Sequence, residues 1–267
     1  MTIVSAPPGG GLTSSWQGAL TTADRLTRDC VAILETDEAE TTVENIILKR
    51  YEPGPGNQMV TTKATLLSQP DFIATPSVSD AETMDLLTLQ VKEFERSVLL
   101  KTTAKSAAEA LLKMYAKSED RNQFVNAIKH VTCQRLVRRL CDACKQSSRV
   151  PPKTIQQLGG DPKEHTTLYS KYQLPPPEQR VDEKGKPMEF PPCPVCGGIG
   201  YIGRVGVFEM IEVNESVGKA LKTTPKLEAI ELAAQKSGKK TLAQQAYKLI
   251  LLGVTSIAEV QRVLKEG

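Results

Sequence analysis

Six cysteines are present, and four fall in two couples, Cys141-x-x-Cys144 and Cys193-x-x-Cys196. A two-residue gap lets both thiolates of a couple turn toward one point, and two couples supply the four sulfurs that tetrahedral zinc prefers. The second couple runs into Gly197, Gly198 and Gly200, which supply backbone conformations that residues with a Cβ resist. A closed structural zinc site is the expectation for Cys141, Cys144, Cys193 and Cys196, with no open coordination position for metal catalysis. The alternatives are unrelated free thiols, or disulfides, which the absence of a secretory signal pattern argues against. Cys30 and Cys133 sit in apolar contexts and read as buried thiols.

A second candidate lies at the start of the chain. Thr2-Ile3-Val4 is a β-prone run, Ala6-Pro7-Pro8-Gly9-Gly10-Gly11 follows, and Leu12-Thr13-Ser14-Ser15 opens a helix. Strand, glycine loop, helix is the layout of a phosphate-binding loop, with Gly9, Gly10, Gly11 and Thr13 as candidate ligand contacts. His130 and His165 are not spaced to form a nucleophile and base pair with any cysteine, although Cys133 follows His130 by what reads as one helical turn.

The elements that must position these groups read as α/β. Val31 to Leu34 and Phe72 to Ala74 are further strands, and acidic residues Glu35 to Glu40 follow the first of them. Ser79-x-x-Glu82 reads as a capping box for a helix buried through Leu86, Leu87 and Val91. Phe124, Ile128, Val131 and Val137 fall at helical spacing, which predicts one long helix capped by Ser118 and ending at Leu140. Trp16 is expected to anchor the first helix to the core. Pro175-Pro176-Pro177 and Asp182 to Pro187 form a loop, and Arg204 to Ile211 alternates as a strand. The tail predicts three short helices packed as a bundle: one opened by Thr224-Pro225 and stopped at Gly238, then two with capping boxes Thr241-x-x-Gln244 and Ser256-x-x-Glu259.

Composition bounds the rest. Of 267 residues, 40% are hydrophobic and 24% charged, an ordinary globular mix, and no apolar run is long enough for a membrane span. A net charge of +3 is too small to argue for nucleic acid by itself. Arg135, Arg138 and Arg139 keep a nucleic-acid-binding zinc protein open as an alternative, against a solvated helix face or ion pairs.

Two segments, Gln134-Arg135-Leu136-Val137-Arg138-Arg139-Leu140-Cys141 running into Cys144 and Cys193-Pro194-x-Cys196-x-Gly198-x-Gly200-Tyr201-x-Gly203-Arg204-x-Gly206-Val207-x-Glu209, carry a resemblance. The chain resembles the C-terminal ATPase domain of the type II secretion and type IV pilus assembly ATPases. That resemblance implies a RecA-like P-loop core over residues 1–140, a tetracysteine zinc insertion over 141–203, and a returning strand with a helical unit over 204–267. It also implies a cytoplasmic protein, peripheral at the inner face of the membrane through protein partners of the secretion or pilus machine, and able to form homo- or hetero-oligomers. Starting on the phosphate-loop strand suggests a piece of a longer polypeptide. Cys196-x-Gly198-x-Gly200 is also similar to the zinc repeats of DnaJ-type chaperones, which carry several such repeats where this chain has one.

The resemblance weakens at the catalytic positions. Laid over the family's loop, the chain keeps Gly9, Gly11 and Thr13 but has Leu12 where the phosphate-binding lysine belongs. In the stretch Gln69 to Asp80 that resembles the Walker B region, Pro76 stands for glycine, Ser77 for the glutamate that polarises water and Ser79 for arginine. An ungapped count from Gln134 places Thr103 on the family's histidine. Glu35 and Asp37 lie near its aspartate box, where a solvated acidic turn is an equal reading. The expectation is a degenerate subunit with no catalytic residue and doubtful use of ATP and magnesium. The alternative is an active motor with an altered loop and a cation supplied from elsewhere.

Overall fold

The computed structural model describes residues 1–38, 43–76, 78–176, 180, 186 and 188–265. Glu40, Ser77, Pro177, Asp182, Glu183, Lys184, Gly185 and Pro187, which the sequence reading uses, lie outside the described residues. In chain order the elements begin β1 (Thr2–Ala6), α1 (Leu12–Thr21), β2 (Cys30–Glu35), β3 (Ile47–Tyr51), α2 (Asn57–Leu66) and β4 (Phe72–Thr75). Next come α3 (Ala81–Glu93), β5 (Ser97–Thr103), α4 (Ala107–Tyr115), α5 (Arg121–Ala127) and β6 (His130–Leu140). The remainder is β7 (Gln146–Arg149), α6 (Pro152–Gln157), β8 (Thr167–Ser170), β9 (Tyr201–Glu212), α7 (Glu215–Thr223), α8 (Leu227–Lys236), α9 (Leu242–Leu251) and α10 (Ile257–Lys265). Contacts divide the chain into two compact units, residues 1–135 with 208–240, and residues 136–207 with 241–267. Strands β6 and β9 each run from one unit into the other.

The first unit is a sheet covered on both faces. Its strands follow the order β3-β2-β4-β5-β1-β6-β9, and neighbours from β3 to β6 pair parallel. Parallel strands need crossover helices, which cover both faces and make the strands apolar throughout. Ile3, Val31, Ile33, Ile73, Val98, Leu100 and Val131 pack toward Met84, Leu87, Leu111, Phe124 and Ile128. Their chain neighbours Val4, Ala32, Leu34, Ala74 and Leu99 pack the opposite way, onto Trp16 and Leu20 of α1. Trp16 is 4% exposed, as its expected anchoring role requires. The second unit has its own smaller core of Val137, Ile155, Leu168, Val207, Leu242, Ala246, Ile250 and Val260.

Several expectations are corrected here. The long helix from Ser118 to Leu140 is instead the short α5 followed by β6, with Asp120 rather than Ser118 as the cap, accepting from Gln123 N at 2.9 Å. Ser118 turns its hydroxyl to Asp85. Phe124 and Ile128 do sit at a helical turn, but Val131, Cys133 and Val137 alternate, and pairing with β1 from Thr2↔His130 to Ser5↔Cys133 decides for strand. Asp80, not Ser79, caps α3, accepting from Thr83 N at 2.7 Å, while Ser79 bonds to Gln58. Thr224 ends α7 rather than starting a helix; Pro225 cannot continue it, and α8 begins at Leu227.

The three-helix bundle is also divided. Helix α8 packs with α7 and α4 in the first unit, and α9 and α10 belong to the second. The capping box at Thr241 and Gln244 is present in both directions, at 3.2 and 3.0 Å. Thr241→Ala is therefore expected to cost about 1 kcal/mol, measured by urea unfolding. At Ser256 only half of the expected box forms. Its hydroxyl accepts from Glu259 N at 3.2 Å, while the Glu259 carboxylate goes to arginines instead.

Candidate metal centre and phosphate loop

The four expected cysteines converge. All four sulfurs lie within 4.8 Å of one another, with Cys141 and Cys193 at 4.0 Å and Cys144 and Cys196 at 3.6 Å. Ligands about 2.3 Å from a tetrahedral centre are about 3.8 Å apart, so the spacing fits zinc, whereas a disulfide needs about 2.05 Å. Cys141 follows β6, and its N–H donates to Gly200 O at 3.1 Å, which ties the two cysteine turns together. Gly200 has φ +79, its N–H donates to Cys196 Sγ at 3.2 Å, and a Cβ there would come 2.8 Å from Lys171 Cβ. Both the conformation and the close approach therefore require glycine.

The thiols influence one another strongly. Burial and the neighbouring cysteines push Cys144 up to about 12. Burial also raises Cys196, but N–H groups of Gly200 and Gly198 and the adjoining cysteines outweigh it and bring Cys196 down to about 7. Four thiolates at this spacing need a cation among them, which is the donor chemistry of a structural metal site.

Below the cysteines, Arg138 and Arg139 find internal partners. Arg138 forms a two-point pair with Glu259, Nη2 at 2.6 Å and Nε at 2.9 Å, and lies 4.2 Å from the Tyr201 ring centroid. Arg139 pairs with Asp142 at 2.8 Å. In the first unit Arg135 is 8% exposed and donates to Lys105 O at 3.0 Å. These three arginines stand on a strand, not on the helix face expected, and each is engaged.

The phosphate-loop layout is also present. Residues 7–11 connect β1 to α1, Gly11 caps the helix with φ 88 and no side-chain bond, and Gly10 N donates to Pro7 O at 2.8 Å. Leu12 is the first residue of α1 and half-buried; Thr13 is exposed in the same turn. Gln134 braces the loop from β6: its amide donates to Gly10 O at 2.8 Å and Gly11 O at 3.1 Å, and accepts from Ser15 Oγ at 2.6 Å. Gln134→Leu is expected to lower unfolding stability by about 2 kcal/mol, because it orphans those polar groups; denaturant titration checks it.

Thr103 ends β5 directly opposite Ala6. Phe72 to Thr75 form β4, beside β5. Beyond β4, Gln58 of α2 is buried; it donates to Thr75 Oγ1 at 3.1 Å and accepts from Ser79 N at 2.7 Å. Burial raises the pKa of Asp80, but bonds from Ser79 and Thr83 prevail and hold it below the usual carboxylate range. Glu35 ends β2 and Asp37 lies exposed in the following turn, while the next residue, Glu38, pairs with Lys101 of β5. Lys101 lies 5.5 Å from the Trp16 ring centroid. Neither Gln58 nor the Lys101–Glu38 pair was anticipated, since only the parallel register brings them to the site.

His130 lies opposite Thr2, at the end of β1 away from the loop. Cys133 is fully buried, and burial pushes its thiol up to about 11.

The sheet, its loop and the cysteine cluster define an α/β P-loop ATPase fold of the RecA-like kind, with a tetracysteine segment and C-terminal helices. Among solved structures it is similar to the Legionella pneumophila ATPase DotB, with TM-score 0.54 and 14% identity, covering 100% of this chain and 60% of that one. It is likewise similar to the pilus retraction motor PilT with bound ADP, with TM-score 0.56 and 16% identity over 98% of this chain and 60% of that one. The Type II/IV secretion system protein family matches residues 1–262, and the chain belongs to it. It is 26% identical to the type IV pilus assembly ATPase PilB of Acinetobacter baylyi, covering 100% of this chain and 43% of that protein. It is 27% identical to the type II secretion system protein E of Pectobacterium carotovorum, covering 99% and 48%. The chain thus spans less than half the length of these curated relatives. Among the described residues no helix is long and apolar enough to cross a membrane.

Proposed function

We propose that this chain is a degenerate subunit or domain of a secretion or pilus assembly ATPase, acting as a structural or regulatory platform without efficient ATP turnover. The observation that carries the reading is Leu12 at the first turn of α1, where the family's loop lysine would stand. Leucine offers no charge to the β and γ phosphates, and losing one preorganised donor costs about 3 kcal/mol of transition-state stabilisation. At the Walker B end, Gln58 and Ser79 bond to each other and Asp80 is committed to capping α3. A carboxylate held ionised by its cap is a poor general base.

In this reading zinc on Cys141, Cys144, Cys193 and Cys196 keeps the segment folded, and the platform works in the cytoplasm against protein partners at the inner membrane face. With saturating ATP and magnesium, the protein should release no phosphate above background and its melting temperature should not rise. A ligand present at 100 times its Kd would add about 2.7 kcal/mol. Phosphate release at rates typical of the family would overturn the proposal.

A second reading, a working motor with an altered loop, draws on Lys101. It stands on β5 opposite Val4 of the loop's own strand and is 16% exposed at its side chain. If Lys101 replaces the missing cation, any measured turnover should vanish in Lys101→Met.

A further inference from the structure

We infer that the second cysteine turn is a wedge for an anionic lipid surface, with Val195, Ile199 and Ile202 entering the headgroup layer and Lys171 and Arg204 meeting its phosphates. All five residues belong to the second unit. Two backbone bonds shape the wedge: Gly197 N–H donates to Cys193 O at 2.8 Å, and Ile199 N–H donates to Cys196 O at 3.2 Å. Cys193 and Cys196 turn their sulfurs inward to the cluster. The aliphatic residues beside them stay outside, with Val195 55%, Ile199 65% and Ile202 45% exposed. Moving such side chains out of water is favourable in proportion to the apolar area removed.

The charges around the wedge choose its occupant. Lys171 lies against the same turn, since a Cβ on Gly200 would come 2.8 Å from Lys171 Cβ, and Lys171 is exposed. Arg204, two residues after Ile202, is exposed as well. Asp142, the acidic residue of the first cysteine turn, is neutralised by Arg139 at 2.8 Å and Lys145 at 2.7 Å. The bias extends over the whole unit: residues 136–207 and 241–267 contain 14 Lys and Arg against 9 Asp and Glu, whereas the first unit has 20 against 22. Four thiolates around one divalent ion leave the second unit cationic still.

Aliphatic tips with Lys and Arg beside them match a bilayer interface, where acyl carbon lies under a layer of phosphates. A nucleic acid offers the phosphates but binds single strands through aromatic stacking, and Tyr201, the aromatic residue of this segment, is 8% exposed. Direct lipid contact goes beyond the proposed function, in which attachment to the membrane runs through protein partners. It holds whether or not the chain turns over ATP.

Sedimentation of the full, zinc-loaded chain with vesicles of phosphatidylglycerol and phosphatidylcholine in equal parts tests the inference. The protein should pellet with these vesicles, stay in the supernatant with phosphatidylcholine alone, and bind less as salt rises. Lys171→Gln together with Arg204→Gln should lower the partition constant about thirtyfold. Val195→Asp together with Ile199→Asp should abolish binding, with one zinc per chain and the circular dichroism spectrum unchanged. Ile199→Trp reads insertion directly, because Trp16, the chain's own tryptophan, is 4% exposed and lies in the first unit. Anionic vesicles should shift the emission of this variant to shorter wavelength, and brominated lipid should quench it, with neither effect in the wild type. No binding to anionic vesicles, equal binding to both kinds, or binding without the tryptophan shift would overturn the inference.

Discussion

Replacing Cys193 by serine, or extracting the metal with a chelator, should abolish zinc binding and open the segment between Cys141 and Gly206. Structural zinc sites in small domains contribute about 10–16 kcal/mol of apparent binding free energy at neutral pH. The second unit has a small core of its own, so this contribution is large beside what its buried side chains supply. Metal analysis should give one zinc per chain for the wild type and none for the variant. Limited proteolysis should then show new cleavage between Cys141 and Gly206, while amides of β1, β4 and β5 keep their exchange protection. Equal cleavage with and without chelator would refute a structural role for the metal.

Glu259→Gln carries the second largest expected effect. Glu259 is 1% exposed and receives Arg138 through its main-chain N–H and its guanidinium, and Arg262 at 2.7 and 3.1 Å. Neutralising it leaves two guanidinium groups without their counter-ion, a loss of about 3 kcal/mol, since both arginines are partly in water. Burial raises the Glu259 pKa, but bonds from Arg262 and Arg138 prevail and bring it to about 2.

The pH dependence follows from that depressed value. Unfolded, the group titrates near 4.5; folded, near 2. Its contribution is complete above the unfolded value and disappears as pH falls from about 4.5 to about 2, amounting to about 3 kcal/mol. Other carboxylates and the cysteine site respond to acid as well. The decisive measurement is therefore the difference in urea-unfolding free energy between wild type and Glu259→Gln. It should be near its maximum above pH 5 and shrink as pH drops. A difference independent of pH would reject this account of Glu259.

Much of the site was legible because local chemistry dictates it. Two Cys-x-x-Cys turns with glycines placed to release the backbone bring four sulfurs together wherever the couples meet, and they do meet. A strand, a glycine loop and a helix in immediate succession need only local geometry, and β1, the loop and α1 follow the reading. The stretch from 118 to 140 shows where local reasoning fails. Apolar residues there match both helical and alternating spacing, and the available hydrogen bonds of β1 selected strand. Arg135, Arg138 and Arg139 consequently changed from a helix face to individually engaged groups.

The amino-acid sequence by itself determined the two cysteine couples, the glycine loop and the leucine that follows it, since these depend on residue type and short spacing. Only the tertiary structure decided which distant side chains support them. Gln134 reaches the loop, Glu259 meets Arg138, and Lys101 lies beside Trp16. Each of these depends on the register of strands far apart in the chain. Register is fixed by burying apolar faces across the whole sheet, and no local window of sequence contains it.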